Sequence, residues 1–224
     1  MLSKKVLFIA THPDDETLGC GGTILRYKDS GFEIYWLIVT CAHEKDGFPK
    51  QSIENMKSQI MKVSSSYGFS DVFTLDFPAT FLDTIPLRNI IEAVSSVLKK
   101  VEPLVVYVPH IGDAHTDHRV VSQAVWSSVK TFRMPFIKEV YAYETVSETE
   151  FSNPALHTIF VPNTFCDIAD YFEKKLKIMR IYKSELKSYP FPRSEENIKA
   201  LATFRGATIG VKYAEAFMCL KRII

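Results

Sequence analysis

Short apolar runs rich in β-branched and aromatic residues alternate along this chain with amphipathic stretches of helical period. That alternation leaves few folds open. Residues 6–10, 32–40, 71–77 and 104–108 read as strands, and 17–30, 52–67, 87–100 and 120–132 read as helices between and after them. Gly31 and Gly68 stand where the first two helices would close. In the third helix Ile90, Ile91, Val94 and Leu98 recur on one face. Strand–helix units at this spacing predict an α/β fold: a doubly wound, mostly parallel sheet with right-handed crossovers and helices on both faces. Further on, 139–144 and 158–161 read as strands, 167–183 and 195–204 as helices, and 188–193 as a proline-rich loop. No repeat, low-complexity tract or linker interrupts the chain, so residues 1–224 are expected to form a single domain.

Composition excludes several classes. A formal net charge of +1 gives no broad electrostatic basis for nucleic acid or an anionic membrane. Cys20, Cys41, Cys166 and Cys219 are far apart and form no C-x-x-C pair, which argues against a disulfide framework and for a reducing, cytoplasmic setting. Lys4 and Lys5 followed by an apolar run look superficially like a signal peptide. The run is too short, however, and acids follow it at once. No stretch approaches the roughly 20 apolar residues a membrane span needs.

Chemistry concentrates at two strand ends. The first strand, Val6-Leu7-Phe8-Ile9-Ala10, runs into Thr11-His12-Pro13-Asp14-Asp15-Glu16, and the fourth runs into Pro109-His110-Ile111-Gly112-Asp113-Ala114-His115-Thr116-Asp117-His118. Parallel strands put all their carboxyl ends on one edge, where open α/β sheets bind ligands. The topology therefore brings two segments about a hundred residues apart in sequence face to face. His12 and Asp15 are three apart, as are His115 and His118, which places each pair on one side of a helical turn. Two histidine nitrogens and one carboxylate oxygen make a common catalytic zinc shell with a fourth position open for water; iron, cobalt or manganese suit similar donors. Such a metal lowers the pKa of a water toward about 7 and polarises a carbonyl. A carboxylate outside the shell can take the water's proton, and a spare histidine can stabilise an oxyanion and protonate a leaving amine; Asp14 and His115 are available for those tasks. Asp117 is placed to accept a hydrogen bond from a histidine and fix its tautomer.

His12-Pro13-Asp14-Asp15-Glu16, then Gly21-Gly22-Thr23-Ile24, with His115-Thr116-Asp117-His118 downstream, resembles the PIG-L/LmbE-like zinc N-deacetylases. The late segments 163–168 and Tyr213-Ala214-Glu215-Ala216-Phe217 also look like that family. The resemblance implies a Rossmann-like fold and hydrolysis of the acetamide of an N-acetylglucosamine-type sugar or glycoconjugate, releasing acetate. By motif position it implies His12, Asp15 and His118 as ligands of Zn2+, with Fe2+ an alternative. It further implies Asp14 as general base, a cationic His115 stabilising the tetrahedral intermediate, and Asp117 tuning it. Thiol-cofactor branches of the family usually carry a shorter His-Pro-Asp-His second motif. The Asp-Ala-His-Thr-Asp-His form here looks closer to bacterial sugar or cell-surface polysaccharide enzymes.

Plainer roles compete for several residues. His115 and His118 could mark only a helix start capped by Asp113 or Thr116. His110 is expected to close its strand, and His43 and His157 to be ordinary surface. Glu16 fits a first-turn acid favoured by the helix dipole. Gly19, Gly21 and Gly22 do not complete a dinucleotide loop and suggest close packing against a strand end or a ligand. Glu44, Lys45 and Asp46, in the loop after the second strand, could bind sugar hydroxyls or simply be solvated. Arg193 and Arg205 could hold an anionic part of the substrate, though surface or structural roles are favoured. The Glu173-Lys174-Lys175 run is expected to be a wet helix face. Two other readings remain: a receiver-like phosphoacceptor, which also uses paired acids after a first strand but has no use for the two histidines, and a metal- or carbohydrate-binding module without catalysis. Association of copies into a homo-oligomer stays open.

Overall fold

The computed structural model describes residues 4–155 and 158–224. His157, expected at the surface, lies outside the described residues. Five strands lie parallel: β1 (Lys5–Ala10), β2 (Glu33–Cys41), β3 (Asp71–Pro78), β4 (Val105–Pro109) and β5 (Glu139–Tyr143). They belong to a seven-stranded sheet of order β3-β2-β1-β4-β5-β7-β6. The helices between and after them are α1 (Asp15–Asp29), α2 (Lys50–Tyr67), α3 (Leu87–Val101) and α4 (Thr116–Ser128). From β1 the chain winds outward through β2 to β3. It then crosses back over β1 to β4, which leaves a crevice between the carboxyl ends of β1 and β4.

Alternation within β1 explains the two covering layers. Val6, Phe8 and Ala10 face one core with Leu18 and Ile24 of α1 and Val63 and Tyr67 of α2. Leu7 and Ile9 face the other, with Ile90, Val94 and Leu98 of α3 and Val121 and Val125 of α4. Val6, Leu7, Phe8 and Ile9 are fully buried, and each stabilises the fold by about 1.5–3 kcal/mol. A strand buried on both faces has no polar face to show, hence its continuous apolar run.

The sheet's far side differs from the sequence expectation. Residues 158–161 form no strand, and the side chains of Ile159 and Val161 are exposed. Proline at 162 has no N–H to give a ladder, and pairing begins just after it, in β6 (Thr164–Asp167). β6 lies antiparallel to β7 (Ala214–Arg222), which in turn lies antiparallel to β5. The expected helix over 167–183 shrinks to α5 (Phe172–Met179), and α6 spans Glu195–Ile209. α1 and α4 begin earlier than expected, at Asp15 and Thr116, which puts Asp15 and His118 in first helical turns.

A buried ion pair ties the last strand to the first helix. Glu215 of β7 accepts the N–H groups of Gly22 at 2.9 Å and Thr23 at 2.8 Å, and pairs with Lys175 at 2.7 Å. Lys175 also donates to the carbonyl of Leu18 at 2.8 Å. The wet-face expectation therefore holds for exposed Glu173 and Lys174 but fails for Lys175, which is buried. α1 can come this close because of its glycines. A Cβ on Gly22 would lie 2.5 Å from Cγ2 of Ile168, and one on Gly19 would lie 2.3 Å from Cδ2 of Tyr143. They meet protein side chains, not a ligand-sized gap.

Candidate metal centre and active site

The crevice at the β1/β4 switch point gathers the two motifs. β1 ends at Ala10, so His12 lies at its mouth, with Asp15 opening α1. β4 ends at Pro109, and His115 caps α4 one turn ahead of His118. Ring centroids of His12, His115 and His118 stand 4.5–5.4 Å apart.

His12, Asp15 and His118 each offer one donor atom within 4.8 Å of the others. Asp15 Oδ2 is 3.3 Å from His118 Nε2 and 3.8 Å from His12 Nδ1. Behind each ring stands a carboxylate. Asp117 Oδ2 lies 3.3 Å from His12 Nε2, and Asp113 Oδ2 lies 2.8 Å from His118 Nδ1. A proton on those outer nitrogens leaves His12 Nδ1 and His118 Nε2 as lone pairs turned toward Asp15, the carboxylate–histidine–metal arrangement. Two further observations test the fit. His118 Nε2 and Asp15 Oδ1 are buried without a hydrogen-bond partner, which is costly unless something else satisfies them. Two imidazoles and a carboxylate also suit a divalent cation and leave a position for water. The residues fit a metal.

Charges follow the same logic. Burial raises Asp15, but His118 and then His12 overcome it and hold the carboxyl well below the usual range. Burial disfavours charge on His118, yet Asp15 and Asp113 push its imidazole up to about 10: the pocket stabilises positive charge. Asp117 is held down by His12 and by the N–H groups of Thr80 at 2.7 Å and Leu82 at 3.2 Å, against its burial. Asp117 thus serves His12 and pins the loop after β3, rather than tuning His115 as expected. His115 is also corrected. Its Nδ1 accepts the N–H of Asp117 at 3.1 Å, so its proton sits on Nε2 and the ring is neutral. Burial, then His12 and His118, bring its pKa down to about 4. The expected imidazolium does not fit that geometry.

Asp14 is the N-cap of α1 with φ 134°, a region non-glycine residues avoid. Two contacts hold it there. Its N–H donates to Glu16 Oε2 at 3.1 Å, and its Oδ2 accepts Arg193 Nη1 at 2.7 Å. Burial raises the Asp14 carboxyl well above its usual range, with Arg193 opposing. Glu16 is more than a dipole acid. It is fully buried, takes hydroxyls from Thr17 and Tyr182, and is lifted by burial to about 7.

His12, Asp14 and His115 line a cavity of about 220 Å³. Its other walls are Ala42 and Phe48 after β2, Met56 of α2, Ala79 and Thr80 after β3, and Glu185 and Arg193 between α5 and α6. Glu44 and Lys45 are exposed and lie outside the lining of this cavity. That loop turns its apolar residues inward instead. Arg193 reaches the cleft and is largely buried, bonded to protein side chains, which departs from the surface half of the expected surface or structural role and fits the structural half. Arg205 is structural, forked onto Glu144 at 2.8 and 2.6 Å beside a separate cavity of about 590 Å³ that holds none of the metal-site residues. His110 is buried, its Nε2 2.9 Å from the carbonyl oxygen of Thr158, in keeping with a strand-closing role. His43, expected to be ordinary surface, lies between Asp46 at 3.1 Å and Asp76 at 2.7 Å.

Asp113 and Glu16 are the functional positions the sequence understated. By sequence Asp113 reads as a helix cap, yet it is fully buried against His118 and takes the hydroxyl of Thr149 at 2.7 Å. The available signal was two acids interleaved with two histidines over 113–118, one acid for each metal-facing ring.

Comparison with known proteins agrees with this geometry. A family profile described as GlcNAc-PI de-N-acetylase (PIG-L) matches residues 7–129. The chain is 26% identical over 226 aligned residues to a diacetylchitobiose deacetylase of Thermococcus kodakarensis, covering 95% of this chain and 81% of the relative. It is 29% identical to YaiS of Escherichia coli, an uncharacterized deacetylase, over 81% of this chain and 91% of that one. Among solved structures, the fold matches N,N'-diacetylchitobiose deacetylase of Pyrococcus horikoshii with TM-score 0.76 at 23% identity, covering 98% and 84% of the two chains. It also matches the conserved protein TT1542 of Thermus thermophilus with TM-score 0.78 at 24% identity, covering 100% and 97%.

Proposed function

The chain belongs to the PIG-L family, and from that premise we propose that it is a zinc-dependent hydrolase that removes the acetyl group from an N-acetylated amino sugar or glycoconjugate. One observation carries the reading. Three donors, two with buried unpartnered atoms, converge beside a carboxylate and a histidine that lie outside the donor set and line the same cleft. A pure binding module has no need of the second pair. A phosphoacceptor has no need of the histidines. The relatives' names, a chitobiose deacetylase and a GlcNAc-malate deacetylase among them, support amino-sugar substrates.

His12, Asp15 and His118 would hold the zinc ion, which when bound acidifies a water and polarises the acetamide carbonyl. Asp14 is placed to take a proton from the attacking water as the water's oxygen bonds to the carbonyl carbon. His115 donates its Nε2–H to the oxygen on which negative charge develops, a contribution of about 10²–10³ in rate for one such donor. Asp14 then returns the proton to the sugar nitrogen as the C–N bond breaks, leaving acetate and the free amine. Proton transfer through a placed carboxylate is worth about 10²–10⁴. Asp117 and Asp113 fix the tautomers of the two ligand rings. The site draws on both ends of the chain, Asp14 and Arg193, which supports one catalytic domain. Cytoplasmic localisation suits four cysteines kept as thiols, and no described helix is long and apolar enough to cross a membrane.

Acetate release from a panel of N-acetylated amino sugars by zinc-loaded protein tests the reading. Asp14→Ala should keep the metal and lose most turnover, whereas His118→Ala should lose the metal. No acetate from any substrate, together with phosphorylation of Asp14 or Asp15 by a small phosphodonor, would return the site to the phosphoacceptor reading.

A further inference from the structure

Arg193 comes from the proline-rich segment before α6, and its guanidinium reaches four acceptors. Nη1 donates to Asp14 Oδ2 at 2.7 Å and Glu185 Oε2 at 2.9 Å, Nε to Ser147 Oγ at 2.7 Å, and Nη2 to Glu148 Oε1 at 3.4 Å. Three carboxylates around one cation leave a negative surplus. An anionic group on a substrate would meet that surplus rather than a free positive charge, which argues against the phosphate-holding role its residue type suggests. A lysine has one donor point and cannot bridge these directions; the planar fork of arginine can.

Resting on the deacetylase reading, we propose that Arg193 is the positioning residue of the base: it occupies Oδ2 of Asp14 and so leaves Oδ1 to face the cleft and take the proton. Among the described residues, the protein hydrogen bond to the Asp14 carboxyl goes to Oδ2. Glu16 holds the same residue from its backbone N–H at 3.1 Å. Asp14 is therefore fixed at both ends in a backbone conformation that costs energy, which surrounding contacts must offset. Ser147, also at positive φ (79°), and Glu148 tie the guanidinium to the loop after β5, so its aim is set by three separate segments.

The experiment compares Arg193→Gln, Arg193→Lys and Arg193→Ala with the wild-type chain, all zinc-loaded. Arg193→Gln is expected to lose about 10²-fold in kcat, the lower end for a misplaced base, with KM changed less than about threefold. Bound zinc should match wild type, and the melting temperature should fall because Asp14 loses its buried partner. Arg193→Lys should recover part of kcat, and millimolar guanidinium ion should restore turnover to Arg193→Ala, which no loss of packing would allow. A crystal structure of Arg193→Gln should show the Asp14 carboxyl rotated from its present position. A rise in KM with kcat intact would make Arg193 a substrate contact and overturn the proposal. So would an Asp14 carboxyl that has not moved, or a kcat loss that follows zinc loss and resists guanidinium. Absence of wild-type turnover strikes the deacetylase reading instead, and the two failures are told apart.

Discussion

Replacing Asp113 with alanine should weaken zinc binding about 10- to 100-fold, the usual cost of removing a carboxylate that orients a metal-bound histidine. That range equals about 1.4–2.8 kcal/mol of binding free energy. The structure supports it independently. The Asp113–His118 contact is 2.8 Å long and has both side chains at most 1% exposed, and hydrogen bonds to charged groups contribute about 1.5–3 kcal/mol. Alanine leaves His118 Nδ1–H and the Thr149 hydroxyl without an acceptor, so the ring is free to turn its lone pair from Asp15. Asp113→Asn keeps an acceptor oxygen but not the charge, and should lose about tenfold, at the lower end of the range. The assay is competition with a chelator of known affinity at fixed pH, with bound zinc measured directly. An Asp113→Ala affinity within about threefold of wild type would refute the reasoning, because a merely capping aspartate would behave that way.

The fold carries three more predictions. Lys175→Met should cost about 3–5 kcal/mol by stranding the Glu215 carboxylate in the core, which lowers the melting temperature by roughly 6–20 °C for a chain of this size; adding Glu215→Gln should recover much of it, and a loss under about 1 kcal/mol would show the pair is not buried as described. Gly22→Ala should destabilise by about 1–3 kcal/mol, because its Cβ would sit 2.5 Å from Ile168. Combined with Ile168→Ala it should cost less than the sum of the two, and strict additivity in denaturant melts would argue against the contact. Glu44→Ala and Lys45→Ala should leave KM for the best amino-sugar substrate unchanged within about twofold, since exposed loop charges contribute little; a larger rise would put that loop back in the substrate site.

Much of the parallel half of the fold was legible because β1, β2, β4 and β5 are buried along most of their length and α3 and α4 bury one stripe, so burial wrote a period into the sequence. Leu7 and Ile9 on one side and Phe8 and Ala10 on the other demand an unbroken apolar run. The far side was not legible for the opposite reason. β6 is only half-buried along its length, and Ile159 and Val161 beside it face outward despite looking like strand core. The meeting of the two histidine- and aspartate-bearing segments was legible because both follow parallel strands, whose carboxyl ends share one edge. The groups that orient their side chains were not. Arg193 lies 179 positions from Asp14, and no local pattern marks such a contact. Which histidine Asp117 serves depends on ring orientation, a tertiary property, and the residues alone left it open.

Five carboxyls, Asp14, Asp15, Glu16, Asp113 and Asp117, are each at most 3% exposed around this crevice. Buried charge of one sign is tolerated only when paired or neutralised. The protein meets two of the five itself: burial lifts Glu16 to about 7, so much of it is protonated near neutrality, and Arg193 faces Asp14. Three remain, and the groups between them are the rings of His12 and His118. His12 Nε2 faces Asp117 and His118 Nδ1 faces Asp113, so the inner nitrogens of both rings face Asp15, and the carboxylates about His118 favour positive charge there. Three carboxylates about two imidazoles favour added positive charge, of which a proton on His118 supplies one unit. A divalent ion removes two of the three charges and satisfies the unpartnered atoms of Asp15 and His118 in one step. A proton on His118 supplies one positive charge where a divalent ion held by His12, Asp15 and His118 would supply two, and we propose that this end of the sheet is matched to such an ion.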